Sequence, residues 1–389
     1  INLKIHSDIA FTIAANWDEV INCIFNEENQ VYSYSFPIPV DNKKLGQIGG
    51  LRSGRMIYEW IEMAENDVAS IAFQYKYLIK TDIKNFYPSI YTHSIPWALH
   101  GKDLIRNEKD ENNNLNRSNY NLIGNCLDKL FQNANDGCTN GIPIGPAVSD
   151  IISEVVLSGV DIKLSQSLND ADIINDVAVV RFKDDYRILA KKESSGRSTI
   201  KFLQSALKEY RLELHDGKTE IYRLPNGLFR NWRSEYYNIN PETKKNYDFE
   251  GFKEVYLSVI RIDKNNPGCG VIDRFLADLV NQKDYSVCVK LDTRSLPKAI
   301  SLLLMLADLR IKAFPKILGI IESILRSDFG SKHIEPIVEH LEDFLQELIQ
   351  REMENSYLIS WIIYFIRSNN LEGKMKKSYN FSNEIVKAV

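Results

Sequence analysis

At 389 residues, with 44% hydrophobic and 26% charged side chains, the chain is long enough for two domains with sizeable cores and has an ordinary globular composition. Its net charge of −4 excludes wholesale coating of nucleic acid but leaves room for a local basic groove. The five cysteines, at 23, 126, 138, 269 and 288, show no zinc-ligand spacing and predict reduced thiols in a cytoplasmic setting. The longest apolar run, Tyr357 to Ile366, is too short to span a bilayer and no secretory leader is legible, although a start at Ile1 rather than Met allows for preceding residues.

The first 50 residues or so mix short apolar segments with a polar, aromatic stretch from Asn26 to Lys44. Leu51 to Gln74 carries Met56, Trp60, Met63 and Ala64 at helical spacing. Tyr77 to Ile90 predicts a buried strand that delivers Asp82 to its end and then breaks into a helix at Pro88, a residue tolerated in a first turn. The asparagine-rich segment Lys102 to Asn119 predicts an exposed loop. Helices are expected over Asn121 to Gln132, Ala147 to Leu164 and Ser198 to Tyr210. Between the last two, Val177 to Ala190 predicts two apolar strands joined by a tight turn at Asp184 and Asp185. Leu212 to Thr219 predicts a strand and turn, and the alternation of strands and helices predicts a mixed sheet with helices on one face.

After about Leu224 a connector rich in Tyr, Asn and Lys is expected to run irregularly to Asn266-Pro267-Gly268. From Val271 the pattern is helix after helix: Leu296 to Lys312, Phe314 to Arg326, Ile334 to Gln350 and Tyr357 to Ser368. Antiparallel helix pairs stacked as a solenoid satisfy that pattern, although no strict repeat period is present.

If the Val177 to Ala190 hairpin lies beside the first strand, Asp82 and Asp184 enter one pocket with Asp185 next to them. Unpaired carboxylates that close repel, and divalent cations relieve the repulsion. Mg²⁺ prefers oxygen ligands and substrate phosphates, and a pair of such ions clamps both oxygens of an in-line phosphoryl displacement. A solvated turn or a helix cap is the ordinary role of any one of these aspartates; three together in these contexts outweigh it.

The strand-Asp followed by FYPSI, the FKDD hairpin, the intervening GIPIGPAVSD (Gly141 to Asp150) and LELHDGKT resemble four successive palm motifs of reverse transcriptases, spread over roughly Leu51 to Leu224. IYTHSIPWALHGK (Ile90 to Lys102) resembles the bacterial abortive-infection and related phage-defence members. The resemblance implies an α+β fold: fingers and palm of a right-hand polymerase over 1–235, then an all-α, HEAT-like helical repeat domain over 236–389 in place of a thumb. It implies a DNA polymerase of an anti-phage system that uses dNTPs and two Mg²⁺ ions, with Mn²⁺ as a substitute. Synthesis would be untemplated and primed from a hydroxyl of the protein itself, leaving product attached to one of 19 tyrosines, with Tyr32 and Tyr34 expected in a loop. Copying of a bound non-coding RNA is the other mode. A catalytically quiet, phage-sensing helical-repeat protein and a generic retroelement polymerase are the competing functions. The subgroup also implies a homo-oligomer.

By the same resemblance, Asp82 and Asp184 would bridge the ions, with Asp185 in support and the carbonyl of Ile83 as a further ligand. Tyr87, beside Phe86, would lie beneath the incoming sugar and clash with a 2′-hydroxyl, and Asn85 would shape the turn and accept the 3′-hydroxyl. A core aromatic is the plainer role for Tyr87. Gly141 to Gly145 would let the backbone approach a ligand, but Ile144 stands where many reverse transcriptases have Gln, which puts ordinary templated copying in doubt. Lys218 would protonate or steady leaving pyrophosphate, and Arg52 and Arg55 would hold triphosphate oxygens; a surface lysine and a solvated helix start are the plainer roles. Lys191, Lys192, Arg197 and Lys201 read as a solvated face, and His93 and His100 as structural.

Overall fold

The computed structural model describes residues 2–36, 65–109, 115–240, 246–281 and 284–388. Two compact units divide the chain, residues 1–229 and 230–389. Among the described residues no helix is long and apolar enough to cross a membrane.

The first unit is built on a five-stranded mixed sheet in the order β1 (Val31–Ser33), β3 (Val177–Phe182), β4 (Asp185–Ala190), β2 (Tyr77–Asp82), β5 (Glu220–Arg223). Only β1 and β3 run parallel. The central strands place buried apolar residues on both faces, Leu78 and Ile79 on β2, Val179 and Val180 on β3, and Ile188 and Leu189 on β4, because both sheet faces are covered. On one face Ile79, Val179 and Ile188 join the main core, which includes the helices Ala147–Asp170 and Glu193–Glu209. On the other, Leu78, Val180 and Leu189 form a smaller cluster with Val68. Helices therefore pack mainly on one face, as expected, and the second face has an apolar cover of its own. Close approach is built in at Gly196: a β-carbon there would collide with the Ile79 side chain. The Ala147–Asp170 helix outruns its expected end at Leu164, with Ser165 and Leu168 carrying its buried face onward while Lys163 and Gln166 are exposed.

Several local expectations are corrected. LELH contributes only an isolated bridge, Leu214 to Ile83, and the sheet strand is the following Glu220–Arg223. Lys102–Asn107 is a helix that buries Ile105, not a loop. Tyr32 lies on β1; Tyr34 follows it, with its N–H donating to the Arg181 carbonyl at 2.9 Å and its hydroxyl to Asp67 at 2.6 Å. The expected helix start around Met56 and Trp60 lies outside the described residues; residues 65–71 are helical.

Among the described residues the second unit is all-helical apart from turns and isolated bridges. Its core gathers Phe252, Phe275, Ile300, Phe314, Leu341 and Ile362, all essentially inaccessible. The connector expected to be irregular holds two helices, Asn231–Ile239 and Phe249–Asn265, whose buried Tyr236, Phe252 and Val259 belong to this core. Sequence neighbours pack together: Phe249–Asn265 on Val271–Asp278, Leu296–Leu309 on Phe314–Leu325, and Ile334–Ile349 on Glu352–Ser368.

Candidate active site

The hairpin of β3 and β4 closes through a two-residue turn, Lys183-Asp184, with Phe182 opposite Asp185. Because β2 pairs with β4, Asp82 stands directly across from Asp185. Side chains alternate along a strand, so Lys80 and Asp82 of β2 share one face with Asp185 and Arg187 of β4, while Arg181 and Tyr186 point to the opposite, helix-covered face. Backbone bonds fix the three-way junction. The Ile83 N–H donates to the Asp184 carbonyl at 3.0 Å, and the His215 N–H donates to the Asp82 carbonyl at 2.7 Å. The Ile83 side chain is buried in the core.

The Asp82 and Asp184 carboxyl groups come within hydrogen-bonding reach of each other. Burial first, and the Asp82 charge second, push the Asp184 carboxyl up to about 6. Asp185 is raised as well, by burial and then by Asp82, with Arg187 opposing. Arg187 lies 4.0 Å from Asp185, so this third carboxylate already faces a cation. The Lys218 ammonium, 58% exposed, contacts the Asp82 carboxylate, which raises the Lys218 pKa. Thr219, next in the chain, is 2.8 Å from the Thr81 hydroxyl and ties this loop to β2.

Among the described residues no group of three or more His, Cys, Asp or Glu side chains is arranged to hold a metal ion. The pair that could hold one is Asp82 with Asp184. Its donors are hard oxygens, its mutual repulsion calls for positive charge, and an ammonium is already drawn onto Asp82; this chemistry fits Mg²⁺.

The wall beside the pair is made by the residues after β2. Asn85 takes φ +46°, turning the chain into the short helix Phe86–Ser89. Phe86 is 3% exposed and belongs to the core rather than to a surface open to substrate, its ring centroid 5.2 Å from that of Tyr87. The GIPIG loop docks here: Gly141 N–H donates to the Ile90 carbonyl at 2.8 Å and Ile142 N–H to the Tyr87 carbonyl at 3.0 Å. Gly145 has φ +109°, and Ile144 before it is 72% exposed. Arg52 and Arg55 lie outside the described residues. His93 contacts Asp128, and His100 accepts from the Gly124 N–H at 2.9 Å. Lys191, Lys192, Arg197 and Lys201 are exposed.

Sequence reasoning misses the support beneath the hairpin. Arg181, 1% exposed, makes two bonds to Glu154 at 3.0 and 3.1 Å and one to Asp161 at 2.9 Å, and the Tyr186 hydroxyl donates to Asp161 at 2.7 Å. The available signal is an Arg inside VAVVRF together with two acids seven residues apart on one face of a helix, within the mostly apolar stretch from Ile151 to Ile162.

The profile of the family described as reverse transcriptase (RNA-dependent DNA polymerase) matches residues 39–253. Among solved structures, the apo telomerase of Candida tropicalis is similar at 13% identity over 78% of this chain and 57% of that one, with a TM-score of 0.34. A form of it truncated from the C-terminal domain is 16% identical over 43% of this chain and 36% of its own, with a TM-score of 0.31. The telomerase of Candida albicans, in complex with a TWJ fragment of telomeric RNA, is 11% identical over 97% of this chain and 59% of its own, with a TM-score of 0.31. The chain thus spans between about a third and three-fifths of the length of these proteins. No curated protein matches it.

Proposed function

The chain belongs to the reverse transcriptase (RNA-dependent DNA polymerase) family, and on that premise we propose that it extends DNA from dNTPs at the Asp82–Asp184 pair as part of an anti-phage, abortive-infection defence. The observation that carries the chemistry is the meeting of two under-neutralised carboxylates, from distant segments, at one end of a buried sheet. Asp82 and Asp184 would hold the divalent ions, Mg²⁺ or Mn²⁺, with Asp185 and the Ile83 carbonyl in support. Bound there, two such ions lower the pKa of the attacking 3′-hydroxyl and neutralise charge on the triphosphate. Lys218 is long and exposed enough to leave Asp82 for the departing pyrophosphate. Tyr87 closes the sugar side of the pocket, with Asn85 shaping the turn below it, and Arg52 and Arg55 would reach the triphosphate.

The product would be untemplated and attached to a tyrosine. The support is Ile144, an exposed apolar side chain that offers no hydrogen bond where a template base would lie. Synthesis on a bound non-coding RNA is the alternative mode. The helical unit would stack as HEAT-like repeats and join copies of the chain into a homo-oligomer in the cytoplasm.

Purified protein with Mg²⁺ and labelled dNTPs should build labelled product, and Asp184→Ala should lower the rate at least about a thousandfold, as expected for loss of a metal-bridging carboxylate. Incorporation that survives this substitution defeats the assignment, whereas a parent protein that incorporates nothing favours a quiet sensing protein. Electrophoresis after protease or RNase treatment separates the modes. A shift on proteolysis marks protein-linked product, and loss of synthesis after RNase pretreatment marks an RNA template.

A further inference from the structure

Three segments meet at the Tyr87 hydroxyl, an atom to which the chemistry above gives no role. The Tyr87 hydroxyl donates to Oδ1 of Asp150, in the first turn of the Ala147–Asp170 helix. The same oxygen accepts from Lys183 Nζ at 2.8 Å, and that ammonium also lies 3.2 Å from the Tyr87 hydroxyl and 5.6 Å from its ring centroid. Lys183 is the residue immediately before Asp184 in the hairpin turn. It holds φ +52°, a left-handed conformation that side-chain-bearing residues rarely adopt. Its N–H donates to the Ser35 hydroxyl, its carbonyl accepts from Arg181 Nη1 at 3.4 Å, and its ammonium is bound by Asp150. The ion pair is partly shielded, with Lys183 21% and Asp150 24% exposed. A carboxylate in a first helical turn is favourable on its own account, but that role does not need the side chain to be shared between a phenol and an ammonium.

We propose that Asp150 and Lys183 are positioning residues that clamp the Tyr87 hydroxyl and so set how strictly the pocket rejects ribonucleotides. The inference rests on the reading of Tyr87 as the residue beneath the incoming sugar. A tyrosine held at its ring tip cannot swing aside for a 2′-hydroxyl, whereas an unclamped ring exchanges rotamers and admits it. The clamp also couples sugar selection to the turn that carries Asp184.

The test is the ratio of kcat/KM for dNTP to that for the matching rNTP, measured with Mg²⁺ on the full chain. Asp150→Ala should lower the ratio about tenfold, the worth of one charge-assisted hydrogen bond. Tyr87→Phe, which keeps the ring and removes the hydroxyl, should lower it by a similar factor, and Asp150→Ala should add little on that background. Asp150→Asn keeps an acceptor for the phenol and should restore most of the ratio. Lys183→Met should lie between Asp150→Ala and the parent. An Asp150→Ala protein that loses dNTP and rNTP incorporation equally would reduce the cluster to scaffolding and overturn the proposal, as would a full additional loss in the double variant. Failure of the parent to incorporate dNTPs at all would instead remove the premise, and the proposal with it.

Discussion

One hairpin carries two ionic clusters of opposite design, one on each face of the sheet. On the helix-covered face, Arg181 lies between Glu154 and Asp161, and every member is at most 1% exposed. The guanidinium spreads its donors over both carboxylates and Tyr186 adds another, so the buried oxygens are met bond for bond even though burial holds Asp161 above the usual carboxylate range. On the other face, among the described residues, Asp82 has Lys218 in contact, while Asp185 has Arg187 at 4.0 Å and the more distant charge of Lys80. Burial and mutual repulsion hold Asp184 near 6 there. Compensation marks a cluster whose task is to hold the hairpin in place. Its weakness on the opposite face marks one whose remaining partner comes from outside.

Breaking the compensated cluster should have the largest effect on stability. Arg181→Met strands two buried carboxylates and should cost about 3–5 kcal/mol, read as a lower denaturation midpoint of the first unit. Removing the charges together, as Arg181→Met with Glu154→Gln and Asp161→Asn, should recover much of that loss. A single variant as stable as the parent would show that the network does not anchor the hairpin.

The uncompensated cluster should respond with the opposite sign. Ionised Asp184 costs the folded state, because its carboxyl titrates near 6 there against an ordinary 3.8 in the unfolded chain. That cost is absent near pH 4 and below, where the group is protonated in the folded state, and is complete above about pH 6. Asp184→Asn should therefore stabilise the metal-free protein by roughly 1–2 kcal/mol at pH 7.5, after allowing for solvent screening, and by nothing at pH 4. Denaturation in EDTA at both pH values measures this. A gain that persists at low pH would point to packing rather than charge.

The difference between the faces also explains what the sequence could convey. The hairpin is legible because apolar runs flank a short polar turn, and Asp82 because it ends another such run. Arg181 is opaque: a charged residue in a strand pattern says nothing about its partners, which come from a helix about 20 to 27 residues earlier and are visible only once strand and helix are packed. The strand at Glu220–Arg223 hides for a different reason. LELH alternates more cleanly than EIYR, but only the latter has β2 alongside for its full length. The helices within 231–265 are masked by Tyr, Asn and Lys on their exposed faces, and only their core contacts at Tyr236, Phe252 and Val259 fix them. Lys183 and Asp150 escape because a lysine in a turn and an aspartate in a first helical turn are ordinary taken singly.

The smallest effect should come from the one cation on Asp82. Lys218 is 58% exposed and Asp82 20%, so their pair should contribute under about 1 kcal/mol and weaken with salt, unlike the buried Arg181 pairs. Because the folded state raises the Lys218 pKa, that contribution is full at neutral pH and fades as the lysine loses its proton in strongly alkaline solution. Lys218→Met should therefore lower the denaturation midpoint slightly in dilute buffer and hardly at all in 1 M salt. It should also leave Asp82 more strongly negative toward its neighbour, moving the Asp184 titration, followed by NMR of the carboxyl carbon without metal, above its starting value near 6. An Asp184 titration that stays put would mean that Lys218 is a bystander on the rim, and the charge left uncompensated on this face would then be larger than the contact with Asp82 suggests.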